Sequence, residues 1–100
     1  TYLFTRLSAD FPGLEIGAHL HSNPATTREK IEAAYLAGCR RFDGAMKGFG
    51  GCPMAEDKLV GNLATETIIE YLVSKGDPPP INEHAFAKAM QAASRIFVAR

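Results

Sequence analysis

The sequence has no tryptophan and no excess of charge of either sign: eleven Lys plus Arg stand against eleven Asp plus Glu in 100 residues. A chain with no formal net charge offers no polyelectrolyte-like field to hold nucleic acid or an anionic membrane, so neither is expected as a partner. Long hydrophobic runs are missing too. The apolar stretches are a few residues long, against the roughly 20 needed to cross a bilayer, and no charged-then-apolar leader opens the chain, so a cytoplasmic protein is expected. Cysteine is scarce: Cys39 and Cys52 are too few for a disulfide scaffold, and both are expected as free thiols. Repeats are absent, and the longest low-complexity stretch is Pro78-Pro79-Pro80. What remains, 46% hydrophobic and 22% charged residues with 9 Gly and 6 Pro, is an ordinary globular composition for at most one domain, which excludes a disordered tail. The chain begins at Thr1 rather than Met and is expected to be a piece of something longer.

Periodicity and punctuation give the order of elements. Tyr2, Leu3, Phe4 and Leu7 have near-helical spacing, and Asp10-Phe11-Pro12-Gly13 stops that helix, through the restriction Pro puts on its neighbour and the permissive Gly. Leu14 to His21 alternates apolar and non-apolar residues, the signature of a strand with His19 and His21 on one face. Thr26 and Glu29 form a capping-box pair ahead of an apolar stripe at Ile31, Ala34, Tyr35 and Ala37, and Gly38 closes that helix. Arg40 to Met46 is a second, weaker strand. It runs into Lys47-Gly48-Phe49-Gly50-Gly51-Cys52-Pro53, the start of a Gly-rich irregular loop extending to about Gly61. From about Asn62, helical spacing returns through Leu63, Ile68, Ile69, Leu72 and Val73 and ends at Gly76. Asp77 to Pro80 is a stiff linker. Asn82 reads as the N-cap of a last amphipathic helix with Phe86, Met90, Ala93 and Phe97 on one side.

Each strand is followed by a helix long enough to cross back to the same edge, which is the order of a parallel α/β protein. Two strands cannot complete such a sheet. A closed (β/α)₈ barrel needs about 250 residues, and an open doubly wound sheet needs more strands, so the expected fold is α/β, part of a larger domain completed by further chain or by another copy.

In parallel α/β folds, chemistry gathers at the C-terminal ends of the strands. His19-Leu20-His21 puts two imidazoles on one side of a strand, about 6.5–7 Å apart at the backbone, where they can converge on one divalent ion or simply face solvent or hydrogen-bond partners. Cys52, between Gly50-Gly51 and Pro53, is either a thiol free to move a proton or a small apolar residue in a turn. Cys39, at the start of the second strand, reads as buried filler. Asn62 either caps its helix or offers an amide oxygen to a hard cation. Asp43 is either functional or an acceptor for loop amides.

The combination of motifs is more specific than its parts. Gly48-Phe49-Gly50-Gly51-Cys52-Pro53-Met54-Ala55 followed by Gly61-Asn62-Leu63-Ala64-Thr65-Glu66 resembles the Gly-rich loop and following helix of the hydroxymethylglutaryl-CoA lyase family. His19-Leu20-His21 is similar to the metal-binding His-x-His at the end of that family's seventh barrel strand, and the resemblance covers about residues 14–75. It implies a C-terminal portion of a (β/α)₈ barrel: the last two strands with their helices over 1–76, then a linker and C-terminal helix of the same domain over 77–100. It also implies metal ligation of Mg²⁺ or Mn²⁺ by His19, His21 and Asn62, and a role for Cys52 as the loop thiol. The substrate would be an acyl-CoA, with hydroxymethylglutaryl-CoA cleaved to acetyl-CoA and acetoacetate. Glu66 would orient ligands from behind, and Lys47 has no role in the pattern.

Two departures from the pattern have consequences. After the second His the family continues with Asp or Asn and then Thr, whereas this chain has Ser22-Asn23-Pro24. The family's first strand, with a metal-binding Asp and a catalytic Arg, matches nothing here, and two imidazoles with one amide are a poor set for Mg²⁺. These residues alone are expected to be inactive. Two other readings stand beside the lyase: an aldolase or carboligase on the same barrel, and a non-catalytic metal-binding or assembly module. If the chain stands alone, self-association through strand edges or through Phe86, Met90 and Phe97 is expected.

Overall fold

A computed structural model of the chain describes residues 2–49 and 61–96; Cys52 and Phe97, both singled out above, lie outside the described residues. Four helices and four two-residue strands follow one another in the order α1 (Tyr2–Asp10), β1 (Ala18–His19), β2 (His21–Ser22), α2 (Thr27–Leu36), β3 (Phe42–Asp43), β4 (Gly61–Asn62), α3 (Thr65–Ser74) and α4 (Glu83–Ile96). A single 3₁₀ turn, Met46–Gly48, follows β3. This is a small α/β arrangement, as the alternation of patterns predicts.

The strand expected over 14–21 is shorter than its alternation suggests. Residues 14–17 pair with nothing regular, and the ladder begins at Ala18, whose amide donates to the Arg41 carbonyl at 2.8 Å. From there β1 lies parallel to β3, with Ala18 opposite Phe42 and His19 opposite Asp43. At Leu20 the chain changes partner: β2 runs antiparallel to β4, with His21 opposite Asn62 and Ser22 opposite Gly61. The expectation of purely parallel pairing therefore needs correcting, and so does the start of the third helix, which begins at Thr65 rather than Asn62. Ala45 decides both. Its amide donates to the Leu63 carbonyl at 2.9 Å and its carbonyl accepts from the Thr65 amide at 2.9 Å, a parallel bridge that keeps 61–64 extended. Gly44 fits that junction because a Cβ there would lie 2.8 Å from Ile68 Cδ1 and 2.9 Å from the Leu63 carbonyl.

The capping box is a second correction. Thr26 is the N-cap of α2 but makes no side-chain cap hydrogen bond. Asn23 does the work instead: its Oδ1 accepts from the amides of Ala25 at 3.0 Å and Thr26 at 3.1 Å. Asx turns of this kind are a frequent way into a helix. At the other end, the expectation for Gly38 holds. It adopts φ +104°, the Cys39 amide donates to Ala34 and the Gly38 amide to Tyr35, both at 3.0 Å, which closes a Schellman motif. Gly76 ends α3 in the same way. Asn82 caps α4 as read, with Oδ1 accepting from the Ala85 amide at 2.9 Å.

The core sits between α2, α3 and the 61–64 segment, where Ile31, Leu63, Ile68 and Tyr71 are buried and Leu20, Tyr35 and Phe42 pack against them. Burial of these apolar side chains is the main favourable term in holding the helices to the strands. Tyr71 meets Tyr35 edge to face with ring centroids 5.4 Å apart. Helix α4 touches this body through the 3₁₀ turn, where the Lys47 ammonium donates to Ser94 Oγ at 2.9 Å and Ala93 is buried. On the far side, Leu3, Phe4, Leu7, Ile16, Leu20 and Ala34 line an apolar groove of about 480 Å³. No described helix is long and apolar enough to cross a membrane.

Tyr71 carries a cost. Its side chain is fully buried, yet its hydroxyl has no hydrogen-bond partner among the described residues. Replacing Tyr71 with Phe removes an unpaired polar atom, a burden of about 1–3 kcal/mol, and keeps the ring contact. Tyr71→Phe is expected to raise the denaturant midpoint; a lower midpoint would show that the hydroxyl has a partner.

Candidate functional site

The strand ends bring together most of the side chains picked out in the sequence. His19 and His21 project from one side of the β1–β2 segment, and their rings stand edge to face at 89° with centroids 5.5 Å apart. Asn62 sits directly across the ladder from His21. Side chains of directly opposed residues in an antiparallel pair share one face within about 4.5–5.5 Å at Cβ, so the Asn62 amide stands on the same face as the His21 imidazole.

The surroundings orient each member. His19 Nδ1 lies 3.5 Å from Asp43 Oδ2, and both side chains are more than half exposed, so the contact sets ring orientation more than stability. A neutral histidine that turns Nδ1–H toward a carboxylate leaves the Nε2 lone pair unprotonated, an arrangement common behind metal-ligating imidazoles. Asp43 thus pairs with a histidine rather than with loop amides. His21 Nδ1 is buried and has no hydrogen-bond partner among the described residues, while its backbone carbonyl accepts from the Lys30 ammonium. Asn62 Nδ2 donates to the Phe49 carbonyl at 3.0 Å. That bond assigns the amide nitrogen and turns Oδ1 to the opposite edge, and it also corrects the helix-cap reading of Asn62, which lies in β4.

The changed residues after His21 serve the fold. Ser22 is buried, its Oγ 2.7 Å from Thr27 Oγ1, and Thr27 Oγ1 donates to the Asn23 carbonyl at 2.9 Å. With the Thr27 proton so used, Ser22 donates to Thr27, and the hydroxyl pair ties β2 to the start of α2. A polar cleft of about 200 Å³ opens beside it, lined by Ser22, Thr27, Lys47, Asn62 and Glu66 among others.

Two features escaped the sequence. Lys47 has φ +60°, a left-handed conformation that costs an L-residue roughly 1–2 kcal/mol, and its amide donates to Glu66 Oε1 at 2.9 Å. Non-glycine residues give no local signal for that conformation. The Asp43–His19 contact was equally hidden, since it depends on the register of two strands more than twenty residues apart.

The donors fit a divalent cation in part. Two imidazoles and an amide oxygen suit an ion that accepts nitrogen and oxygen, and His21 Nδ1 has no hydrogen-bond partner among the described residues. However, no three His, Cys, Asp or Glu side chains among the described residues gather closely enough to hold a metal ion. A complete site would need Asn62 and at least one carboxylate from outside this group.

Comparison with known proteins places the chain beside the acyl-CoA lyases. It is 36% identical over 78 residues to (R)-citramalyl-CoA lyase of Chloroflexus aurantiacus, covering 78% of this chain and 24% of that protein. It is also 29% identical over 86 residues to hydroxymethylglutaryl-CoA lyase of Pseudomonas mevalonii, covering 86% of this chain and 28% of that one. The 3-hydroxy-3-isohexenylglutaryl-CoA/hydroxy-methylglutaryl-CoA lyase of Pseudomonas aeruginosa is 28% identical over 89 residues, 89% of this chain and 29% of the relative. The chain is thus partly homologous to these lyases and spans about a quarter of their length. No protein-family profile and no solved structure matches it.

Cys39 is the one cysteine among the described residues, and it is fully buried, as the sequence suggests. Burial pushes its thiol above the ordinary value, outweighing the lowering by backbone hydrogen bonds at Arg41 and Ala18 and by the Arg40 charge. Its S–H donates to the Arg41 carbonyl at 3.1 Å. Alkylation of native protein followed by peptide mapping is therefore expected to leave Cys39 unmodified at pH 8 while it reacts in denaturant; fast native labelling would contradict this burial.

Proposed function

We propose that this chain is the C-terminal part of a metal-dependent (β/α)₈-barrel lyase that cleaves a hydroxyacyl-CoA. Residues 1–76 supply the last two strands with their helices, and residues 77–100 supply the linker and final helix of the same domain. The observation that carries the reading is the meeting of His19, His21 and Asn62 at the strand ends, in a chain whose relatives are named as lyases of CoA esters. The apolar groove lined by Leu3, Leu7, Ile16 and Leu20 would be covered by the rest of the barrel or by a second copy, in keeping with the avoidance of large exposed apolar surfaces.

In this reading His19, His21 and Asn62 hold a divalent cation, Mg²⁺ or Mn²⁺, with a carboxylate and an arginine supplied by the remainder of the protein. When bound, such an ion offsets negative charge on substrate oxygens. The residues of this chain do the rest of the local work. Asp43 keeps the His19 ring turned, Asn62 directs its oxygen away from Phe49, and Cys52 carries the proton exchanged with the acetyl-CoA enolate carbon once the carbon–carbon bond has broken. Hydroxymethylglutaryl-CoA, giving acetyl-CoA and acetoacetate, is the first substrate to test and citramalyl-CoA the second. An aldolase or carboligase on the same barrel is the alternative that the altered Ser22-Asn23-Pro24 segment allows.

The test uses the full-length protein. His19→Ala and His21→Ala are expected to weaken Mn²⁺ binding by at least tenfold, on the order of what loss of a ligand or its support costs, with folding retained. Cys52→Ser is expected to lower kcat more than it raises KM, the pattern of a group needed in the chemical step. Unchanged Mn²⁺ affinity in both histidine variants would remove the metal site, and cleavage of neither thioester by the wild type would remove the lyase.

A further inference from the structure

We infer that helix α4 is a hinged strap, pivoting at the 76–82 linker and latched at its far end by Lys47 on Ser94. Apolar burial does little to hold this helix down. Of its 14 residues only Ala93 is buried, and Phe86, in its first half, borders an apolar groove of about 230 Å³ shared with Ile69, Val73 and Pro79. The polar contacts gather at the two ends. At the near end the Asp77 amide donates to the Leu72 carbonyl at 2.9 Å, the Asp77 carboxylate lies 3.5 Å from Arg40 Nε, and Asn82 caps the helix. At the far end Ser94 Oγ donates its one proton to the Met90 carbonyl at 3.0 Å and accepts from the Lys47 ammonium at 2.9 Å. The other side of the latch is anchored through its backbone. The Lys47 amide donates to Glu66 Oε1 on α3, and the Gly48 amide to the Ala45 carbonyl, both at 2.9 Å. At φ +60° Lys47 holds a state that glycine takes without cost and other residues resist, so strain is kept where the side chain leaves for α4. The same turn lines the polar cleft beside Ser22 and Asn62, and opening of the strap uncovers that wall.

Release of the latch melts the helix as well as moving it. An isolated helix of this length is marginal in water, so the amides over 83–96 exchange when the strap opens. Hydrogen–deuterium exchange of the full-length protein, read on peptides from α3 and α4, is the test. Lys47→Met and Ser94→Ala are each expected to speed exchange over 83–96 about threefold, the effect of losing one hydrogen bond of ordinary net strength, with 65–74 unchanged. The double variant is expected to exchange no faster than either single one, because both remove the same contact. Lys47→Gly is expected to open α4 as Lys47→Met does yet to unfold at higher denaturant than Lys47→Met, since glycine relieves the strained anchor. Wild-type exchange over 83–96 in both single variants overturns the latch. An equal rise over 65–74 also overturns it, by making the contact part of the general stability of the fold, as do additive effects in the double variant. A denaturant midpoint for Lys47→Gly below that of Lys47→Met overturns the anchored, strained turn on which the latch is built.

Discussion

Two hydrogen bonds at Ala45 hold the arrangement together. By accepting from Thr65 and donating to Leu63, one residue just beyond β3 fixes where the extended segment stops and α3 starts. Everything near the strand ends follows from that junction. Leu63 is driven into the core against Ile31 and Tyr71, Gly44 is left with no room for a side chain, and Asn62 is presented to His21 rather than to the helix it precedes. The bonds are ordinary in strength, each contributing roughly 0.5–1.5 kcal/mol net. Their importance is geometric: a one-residue slip along this ladder would turn Asn62 to the opposite face.

Helix ends were legible wherever the signal is local. Asp10 to Gly13, Gly38, Gly76 and Asn82 all act as their chemistry suggests, because capping and left-handed termination depend on a few neighbouring residues. The Thr26–Glu29 pair misled for a reason of the same kind: the Thr26 amide that a box would offer to the Glu29 side chain donates to Asn23 Oδ1 instead. The strands were harder. Alternation over 14–21 marks which side chains share a face, and His19 and His21 do meet, but alternation is silent on which residues find a partner. The switch from a parallel to an antiparallel neighbour at Leu20 depends on segments distant in the chain, and no local pattern records it. The candidate site divides in the same way. Its donors, and the carboxylates Asp43 and Glu66, could be picked out by type, spacing and motif, while the partners of those carboxylates, His19 for Asp43 and the Lys47 amide for Glu66, become visible only in three dimensions.

The chain's polar chemistry is split between building and presenting. Ser22, Asn23 and Thr27 spend their hydrogen-bonding capacity on one another and on the entry to α2, which leaves them little with which to address a ligand. His19 and Asn62 differ: among the described residues their side-chain polar contacts are to Asp43 and to the Phe49 carbonyl, and the two imidazoles meet edge to face. A segment that differs from the pattern of related lyases is therefore recruited into structure, while the matched residues stay available.

The pairing of β2 with β4 also bears on the order of events during synthesis. Helix α2 can form from neighbouring residues, but His21 meets Asn62 only after about forty further residues have been made and returned to the sheet, and such distant closures are the slow steps of folding. Until then the two imidazoles have no amide beside them and no register to hold them. A nascent or partly unfolded chain would thus display the two histidines without a preorganised cluster. Pairing of His21 with Asn62 late in folding makes this polar cluster a property of the finished protein.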